Sequence, residues 1–294
     1  MGKAESITEL ELVLNTLIQR AAGDDCPPLL GQALAHAVFP GGARIRPKLC
    51  LAIARANGCD TPELALRAAA AVEFLHCASL VHDDLPCFDD ADLRRGKPTV
   101  HKAFGEPIAV LTGDALIVAA FEAVGCVAQD PKTAARMPEI ISILARGTGA
   151  PYGICAGQAW ESEPSVNVSL YHRAKTGALF VAATTAGAAA AGVDSRPWAN
   201  IGTSIGEAYQ VADDIQDAIS TTEQLGKPCS QDTHLDRPSA VAELGVQGAA
   251  QKLGALIERG LDSVPPCQGR DQLLELVRAQ AQGFVPKGLN SIAA

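Results

Sequence analysis

Two clusters of carboxylates are the side chains best placed to do chemistry. The first runs Asp83-Asp84-Leu-Pro-Cys-Phe-Asp89-Asp90-Ala-Asp92 and is followed at once by Arg94-Arg95-Gly96-Lys97. The second is Asp213-Asp214-Ile-Gln-Asp217, with Gln210 just ahead of it. On a helix Asp213 and Asp217 share a face with Asp214 alongside, and like charges at that spacing cost about 0.2–0.5 kcal/mol. They stand among Val211, Ala212 and Ile215, so their helix is otherwise apolar. Burying several carboxylates without a counter-charge costs far more, and a cation should therefore neutralise them. With no His or Cys beside the acids, the donor set suits a hard ion, Mg²⁺ ahead of Zn²⁺. Mg²⁺ usually takes one or two carboxylates plus waters and phosphate oxygens. Two acidic clusters facing each other would hold a diphosphate between bridging metals. Either cluster alone also fits a solvated face or a charged turn.

Basic residues with spacer glycines lie where a second anion could be held. Gly41-Gly42-Ala43-Arg44-Ile45-Arg46-Pro47 precedes a helix, and Arg44 and Arg46 could fork onto phosphate oxygens. Arg94 and Arg95 follow the first acidic cluster, while Lys175-Thr176-Gly177 and Gly226-Lys227-Pro228 flank the second. No GxxxxGK[ST] loop is present. Taken singly, each cation also fits a surface ion pair. His76 precedes Asp83 by two helical turns and would point toward the same site, although a lone His is more often a satisfied core residue.

The elements that must position these groups read as helices. Hydrophobic residues make up 48% of the 294 and aromatic residues only 4%, with Ala and Leu prominent, a bias toward helix over strand. Helical periodicity predicts helices near 5–21, 29–38, 44–57, 61–83, 106–128, 132–146, 150–162, 168–191, 197–220, 237–245, 247–262 and 270–284. Thr61 stands as a cap ahead of Pro62-Glu63. The connection from Leu85 to Gly105 is long and carries no predicted structure, which points to a functional or a disordered loop. No composition shift marks a boundary, so residues 1–294 read as one all-α domain, a large helical bundle.

The same residues exclude several classes. A net charge of −9 with no long Lys/Arg run argues against nucleic acid. Nine scattered cysteines without a CxxC pair suggest neither a disulfide framework nor a thiolate zinc site, but free thiols in a reducing cytoplasm. The N-terminal stretch is amphipathic and acidic, with no signal-peptide core. Ala178–Val193 is nearly uncharged but Ala/Gly/Thr-rich and short for a bilayer span, so it reads as a helix packed on all sides, and no membrane anchor is visible. The Asn167-Val-Ser169 sequon reads as accidental.

The chain resembles the trans-isoprenyl diphosphate synthases, the family of farnesyl and geranylgeranyl diphosphate synthases. HCASLVHDDLPCFDDADLRRGKPTVH resembles that family's first aspartate-rich motif, in its DDx₄D form, and YQVADDIQD the second; GGARIRP, GDAL, GQAWE, KTGALF and LGKP follow in the family's order. The wording around GGARIRP, HCASLVHDDLP and ICAGQAWE is most similar to bacterial geranylgeranyl diphosphate synthases of carotenoid or bacteriochlorophyll pathways. The resemblance implies the all-helical isoprenoid synthase fold around a deep central cavity, a cytoplasmic homodimer, and about three Mg²⁺ per site. It implies Mg²⁺ on Asp83, Asp84, Asp89, Asp213 and Asp217. Arg94, Lys175 and Lys227 would hold the allylic diphosphate (dimethylallyl, geranyl or farnesyl). Arg44, Arg46, His76 and Arg95 would hold isopentenyl diphosphate, and Thr176 and Gln210 would line the reacting centre. The family's catalytic set maps to Asp83, Asp84, Lys175, Thr176, Gln210 and Asp213.

Two positions depart from the family. Ala43 stands where its GGKR motif has Lys, and Arg237 where many members have Lys. Product length should follow from the helix ending at Asp83, down which the prenyl tail would run. Ala78 and Ser79 lie about 6–7.5 Å below the metal site and leave room where an aromatic residue would block the tail. A twenty-carbon product is therefore expected, with Phe121 or Phe74 as the floor. A fifteen-carbon (farnesyl) product is the alternative within the family. A His-Asp phosphohydrolase, suggested by His82-Asp83, would need more His ligands than six residues can readily supply and leaves the second cluster unexplained. A terpene cyclase would not need the second diphosphate site, and a non-catalytic regulatory subunit would not need both acidic motifs intact.

Overall fold

The structure is a computed structural model describing residues 3–39, 41–127, 130–165, 167–219 and 239–283. Among these, the regular elements are helices apart from one two-residue hairpin. They are α1 (Lys3–Ala21), α2 (Pro28–Val38), α3 (Ile45–Ala56), α4 (Pro62–Asp83), α5 (Val100–Phe104), α6 (Glu106–Gly125), α7 (Pro131–Thr148), α8 (Ile154–Ala159), α9 (Val168–His172), α10 (Ala178–Ala190), α11 (Ala199–Ile219), α12 (Ala240–Asp262) and α13 (Arg270–Gln282). The hairpin pairs β1 (Leu93–Arg94) antiparallel to β2 (Lys97–Pro98).

Small side chains explain how the centre is packed. α10 is buried along nearly its whole length, as a helix apolar all round must be. It approaches α3 so closely that a Cβ on Gly187 would sit 2.3 Å from the Cys50 carbonyl oxygen, and a Cβ on Gly202 of α11 would sit 2.6 Å from the Val181 Cα. One apolar cluster joins α1, α2, α4, α6, α7 and α10; another joins α3, α10, α11, α12 and α13. Both acidic motifs lie at or near helix C-termini, those of α4 and α11, where the backbone dipole adds negative charge and favours a cation.

Three readings need correction in detail, and one expected helix break is present. The predicted helix 168–191 is interrupted by a π-helical turn at Arg173–Gly177. The 85–105 connection is not structureless, since it holds the hairpin and α5. The break predicted between helices 237–245 and 247–262 is present, because Gly245 leaves the helical conformation (φ 69°, ψ 169°), and the Ser239 side chain caps the start at Ala240. Thr61 makes no side-chain cap; its hydroxyl donates to the Ala190 carbonyl (2.8 Å) and ties α4 to α10. Cysteines among the described residues are free thiols. α4 and α6 are each long and apolar enough to cross a bilayer by length and composition.

Candidate active site

A cavity of about 800 Å³ opens between the two acidic motifs. Asp83 ends α4, and the turn after it folds back by bonds from Asp89 N to Asp83 O (3.0 Å) and from Ala91 N to Asp84 O (3.2 Å). That turn brings Asp89 beside Asp83. Glu161, on the short 3₁₀ turn Trp160–Ser162, completes a group in which one oxygen of each carboxylate lies within 4.8 Å of the others. The GQAWE segment holds Glu161, a residue to which its sequence alone assigns no role. The Gln158 three residues earlier was the available signal, since its amide donates to Glu161 Oε2 (3.0 Å).

Lys175 is the cation set against this group. Its Nζ donates to Glu161 Oε1 (2.5 Å) and Asp83 Oδ1 (3.2 Å), and the Tyr171 hydroxyl donates to the same Glu161 oxygen (2.6 Å). The π-helical turn carries Lys175 and Thr176 to the cavity wall, a common use of such a bulge. Gly157 permits it, because a Cβ there would sit 2.3 Å from the Lys175 backbone nitrogen. Burial pushes the Asp83 carboxyl above its usual range, against the pull of Lys175 and with repulsion from Asp89 and Glu161 adding to it. Three carboxylates gathered this closely offer oxygen donors that suit a bound cation.

The other acids divide. Asp213 and Asp217 line the cavity opposite Asp83 and Asp89. Asp84, expected to bind metal, does not line it. Side chains of successive residues point different ways round a helix, and Asp84 is buried and turned onto Arg94, which donates to Oδ1 from Nη2 (2.5 Å) and Nε (3.0 Å). Arg94 is thereby fixed at the cavity wall. Asp214 is likewise buried and accepts from the Gln210 amide (3.0 Å) and Ala240 N (2.7 Å). Because Gln210 Nε2 is committed to Asp214, its Oε1 faces Thr176, whose hydroxyl donates to it (2.6 Å).

A second group of cations sits behind Arg94. The Arg46 guanidinium stacks on Phe180 (4.3 Å to the ring centre) and Tyr209 (5.5 Å), with His76 Nε2 3.4 Å from its Nη1. Arg46, His76 and Arg95 all line the cavity. Burial and the neighbouring Arg46 and Arg95 hold His76 well below its usual range, so its ring is neutral. Arg46 Nε is buried without a hydrogen-bond partner, as a donor kept for an incoming anion would be.

Arg44 is a correction. Its side chain is buried, bonded to Glu73 (2.6 Å), Glu11 (2.9 Å) and the Val38 carbonyl (2.9 Å), and it does not reach the cavity. The residue adopts a left-handed conformation (φ 51°), which swings it inward under Gly41, where a Cβ would sit 2.0 Å from the guanidinium carbon. Its two acids spend the charge inside the fold. Lys227 and Arg237 lie outside the described residues.

Ala78 and Ser79 stand at the cavity wall, but Phe121 and Phe74 do not. Phe74 is fully buried in the core, and Phe121 packs against that core one turn beyond Ile117 on α6. Leu75, Ile117 and Leu179, with Thr148 and Ile154, form the apolar lining in their place.

Comparison with known proteins identifies the family. Residues 27–266 match the polyprenyl synthetase family model. The chain is 53% identical to a geranylgeranyl diphosphate synthase of Cereibacter sphaeroides (94% of this chain, 96% of that protein) and 48% identical to one of Rhodobacter capsulatus (92% and 93%). A farnesyl diphosphate synthase of Geobacillus stearothermophilus is 38% identical over 85% of each. Among solved structures, a geranyltransferase of Helicobacter pylori complexed with magnesium and isoprenyl diphosphate matches with a TM-score of 0.77 at 27% identity, covering 96% of this chain and 99% of that one. The chain belongs to the polyprenyl synthetase family. Its relatives are prenyltransferases.

Proposed function

We propose that this chain is a Mg²⁺-dependent geranylgeranyl diphosphate synthase, which adds isopentenyl diphosphate to an allylic diphosphate. The single observation that carries the reading is one cavity bearing the Asp83–Asp89–Glu161 cluster, with Asp213 and Asp217 opposite, the Arg46–His76–Arg95 pocket and an apolar depth beyond Ala78. An all-oxygen donor set of clustered carboxylates, with no His or Cys in it, fits Mg²⁺. Asp83, Asp89, Glu161, Asp213 and Asp217 would hold it. When bound, Mg²⁺ would neutralise charge on the diphosphate as it leaves.

The protein's own groups do the rest. Lys175 and Arg94 hold the allylic diphosphate, and Arg46 with Arg95 holds isopentenyl diphosphate, each through charge-assisted hydrogen bonds. Cleavage of the allylic C–O bond leaves an allylic cation, and the isopentenyl double bond supplies the electron pair for the new C–C bond. The proton lost from the adjacent carbon goes to the departing diphosphate. Thr176 and Gln210, locked by Asp214, present oxygens toward the reacting centre and stabilise positive charge there. Leu75, Ile117 and Leu179 exclude water that would quench the cation.

The small side chains of Ala78 and Ser79 favour a twenty-carbon product. We read the assembly as a cytoplasmic homodimer. Leu111 and Val118 on α6 (52% and 66% exposed) and Ile141 on α7 are large apolar side chains left at the surface, which a second copy would cover. Incubating the purified chain with Mg²⁺, labelled isopentenyl diphosphate and dimethylallyl, geranyl or farnesyl diphosphate tests the reading. Geranylgeraniol after dephosphorylation, abolished by chelator, is the expected result. A farnesol end product would overturn the chain length, and no condensation with any primer would overturn the activity.

A further inference from the structure

We infer that Thr99 and His101, outside the cavity lining, are positioning residues that hold the first acidic turn in its working shape; this rests on the function proposed above. Thr99 occupies the N-cap position of α5, where a hydroxyl ordinarily accepts from the helix amides, yet it makes no such cap. Its Oγ1 instead donates back to the carbonyl of Ala91 in the acidic turn (2.7 Å). The single hydroxyl proton being committed there, the Nδ1–H of His101 donates to Thr99 Oγ1 (3.1 Å). That bond fixes the imidazole so that its other nitrogen, buried and without a hydrogen bond, lies 3.6 Å from Asp90 Oδ1.

Asp90 is where the turn needs support. Its φ of 44° lies in the left-handed region, and a strained residue persists only where its surroundings over-determine it. Lys102 meets its carboxylate from α5, with Nζ 3.3 Å from Asp90 and 3.0 Å from Asp92. Thr99 N donates to Asp92 O (3.0 Å). On the far side the hairpin is anchored to the body by Lys97 on the Phe39 carbonyl (3.0 Å) and His36 on the Pro98 carbonyl (2.8 Å). The braced segment carries Asp89 into the carboxylate group and Arg94 to the cavity wall. Both buried side chains, Thr99 and His101, face the back of the turn, so their effect reaches the substrate through the backbone.

The test compares Thr99→Val, Thr99→Ser, His101→Phe, His101→Asn and Asp90→Asn with the unaltered chain. Three readouts are taken: hydrogen exchange across 84–94, Mn²⁺ titration with a non-reacting allylic thiolodiphosphate, and steady-state kinetics. Thr99→Val and His101→Phe should speed exchange in 84–94 about tenfold and raise half-saturating Mn²⁺ and the allylic KM about tenfold. The isopentenyl KM should stay within twofold. Thr99→Ser, and His101→Asn with its replacement N–H donor, should recover most of the loss. Should the two harsher variants not fold, Asp90→Asn, a change of an exposed side chain, should still raise exchange and half-saturating Mn²⁺ two- to fivefold. Unaltered exchange in 84–94, or a fall in Tm with exchange spread evenly over the molecule and Mn²⁺ affinity intact, would overturn the inference. If the unaltered chain neither binds Mn²⁺ nor condenses substrates, the proposed function fails, while the exchange readout still decides whether these residues brace the turn.

Discussion

The two acidic motifs use the same Asp-Asp doublet for different ends. In each, the first aspartate (Asp83, Asp213) lines the cavity and the second (Asp84, Asp214) is buried and turned into the protein. Asp84 fixes a cation, Arg94, that itself reaches the cavity. Asp214 fixes the Gln210 amide and the first backbone N–H of α12, so it orients a neutral group and pins one helix to another. A doublet on a helix cannot aim both side chains at one ligand when successive positions diverge by about 100°. The partner on the second side decides what the second acid does: orient charge for binding, or hold the fold.

The largest effect should come from the cavity-facing members. Asp83→Ala removes one of three clustered carboxylates and leaves Lys175 aimed at a single acid, so kcat/KM should fall on the order of 10³-fold, comparable to losing a major electrostatic contact in a transition state. Asp213→Ala should cost on the order of 10²-fold, because the clustered carboxylates opposite remain intact. Steady-state assays over a range of Mg²⁺ check both, and equal losses would break the proposed division between a primary and a secondary metal position. The second members should part company more sharply. Asp84→Asn releases Arg94 and should raise the allylic KM roughly tenfold through the lost charge-assisted fork. Asp214→Asn should act on folding, costing about 1–3 kcal/mol for weakened buried hydrogen bonds, read as a lowered Tm with a smaller change in KM. If Asp214→Asn left Tm untouched and raised KM instead, the two doublets would be doing the same job.

Chain length sharpens the first motif's side of the comparison. Ala78→Tyr places a ring at the cavity wall one to two turns below Asp83, and the main product should shorten from twenty to fifteen carbons or fewer. Sizing the dephosphorylated alcohols decides it; an unshortened product would put the tail somewhere other than along α4.

How much of this was legible in the sequence follows from how local each feature is. Ala78, Ser79 and Asp83 share one helix, so helical spacing alone places them together. Glu161 joins Asp83 and Asp89 only through tertiary packing, and no spacing rule links a residue near 160 to one near 83. Arg44 and Arg46 look equivalent in GGARIRP, yet a left-handed backbone at Arg44 sends one into the Glu11–Glu73 pair and leaves the other stacked on Phe180 and Tyr209. The π-helical turn at Arg173–Gly177 has no propensity signal, because it is set by the close approach of Gly157 rather than by its own residues. Phe121 does not line the cavity; Ile117, one turn earlier on α6, does, and which of two residues a turn apart meets the cavity depends on how α6 packs rather than on its sequence.

The smallest expected effect belongs to the Arg46–His76 pair behind the first motif. His76 is buried against Arg46 and Arg95, with Arg94 and Arg44 adding to the positive field, and its pKa is driven well below the usual 6.5. An unfolded chain therefore binds a proton that the folded one refuses, and stability rises with pH through the window from the depressed value up to about 6.5, then levels. Denaturant midpoints measured from pH 5 to 8 should show that slope, and His76→Gln should flatten it while keeping a side chain able to hydrogen-bond near Arg46. The same substitution should leave the allylic KM unchanged and raise the isopentenyl KM a few-fold. If the slope persisted in His76→Gln, the imidazole would be taking up its proton in the folded state, and the cationic pocket would be less tightly closed around it than its burial requires.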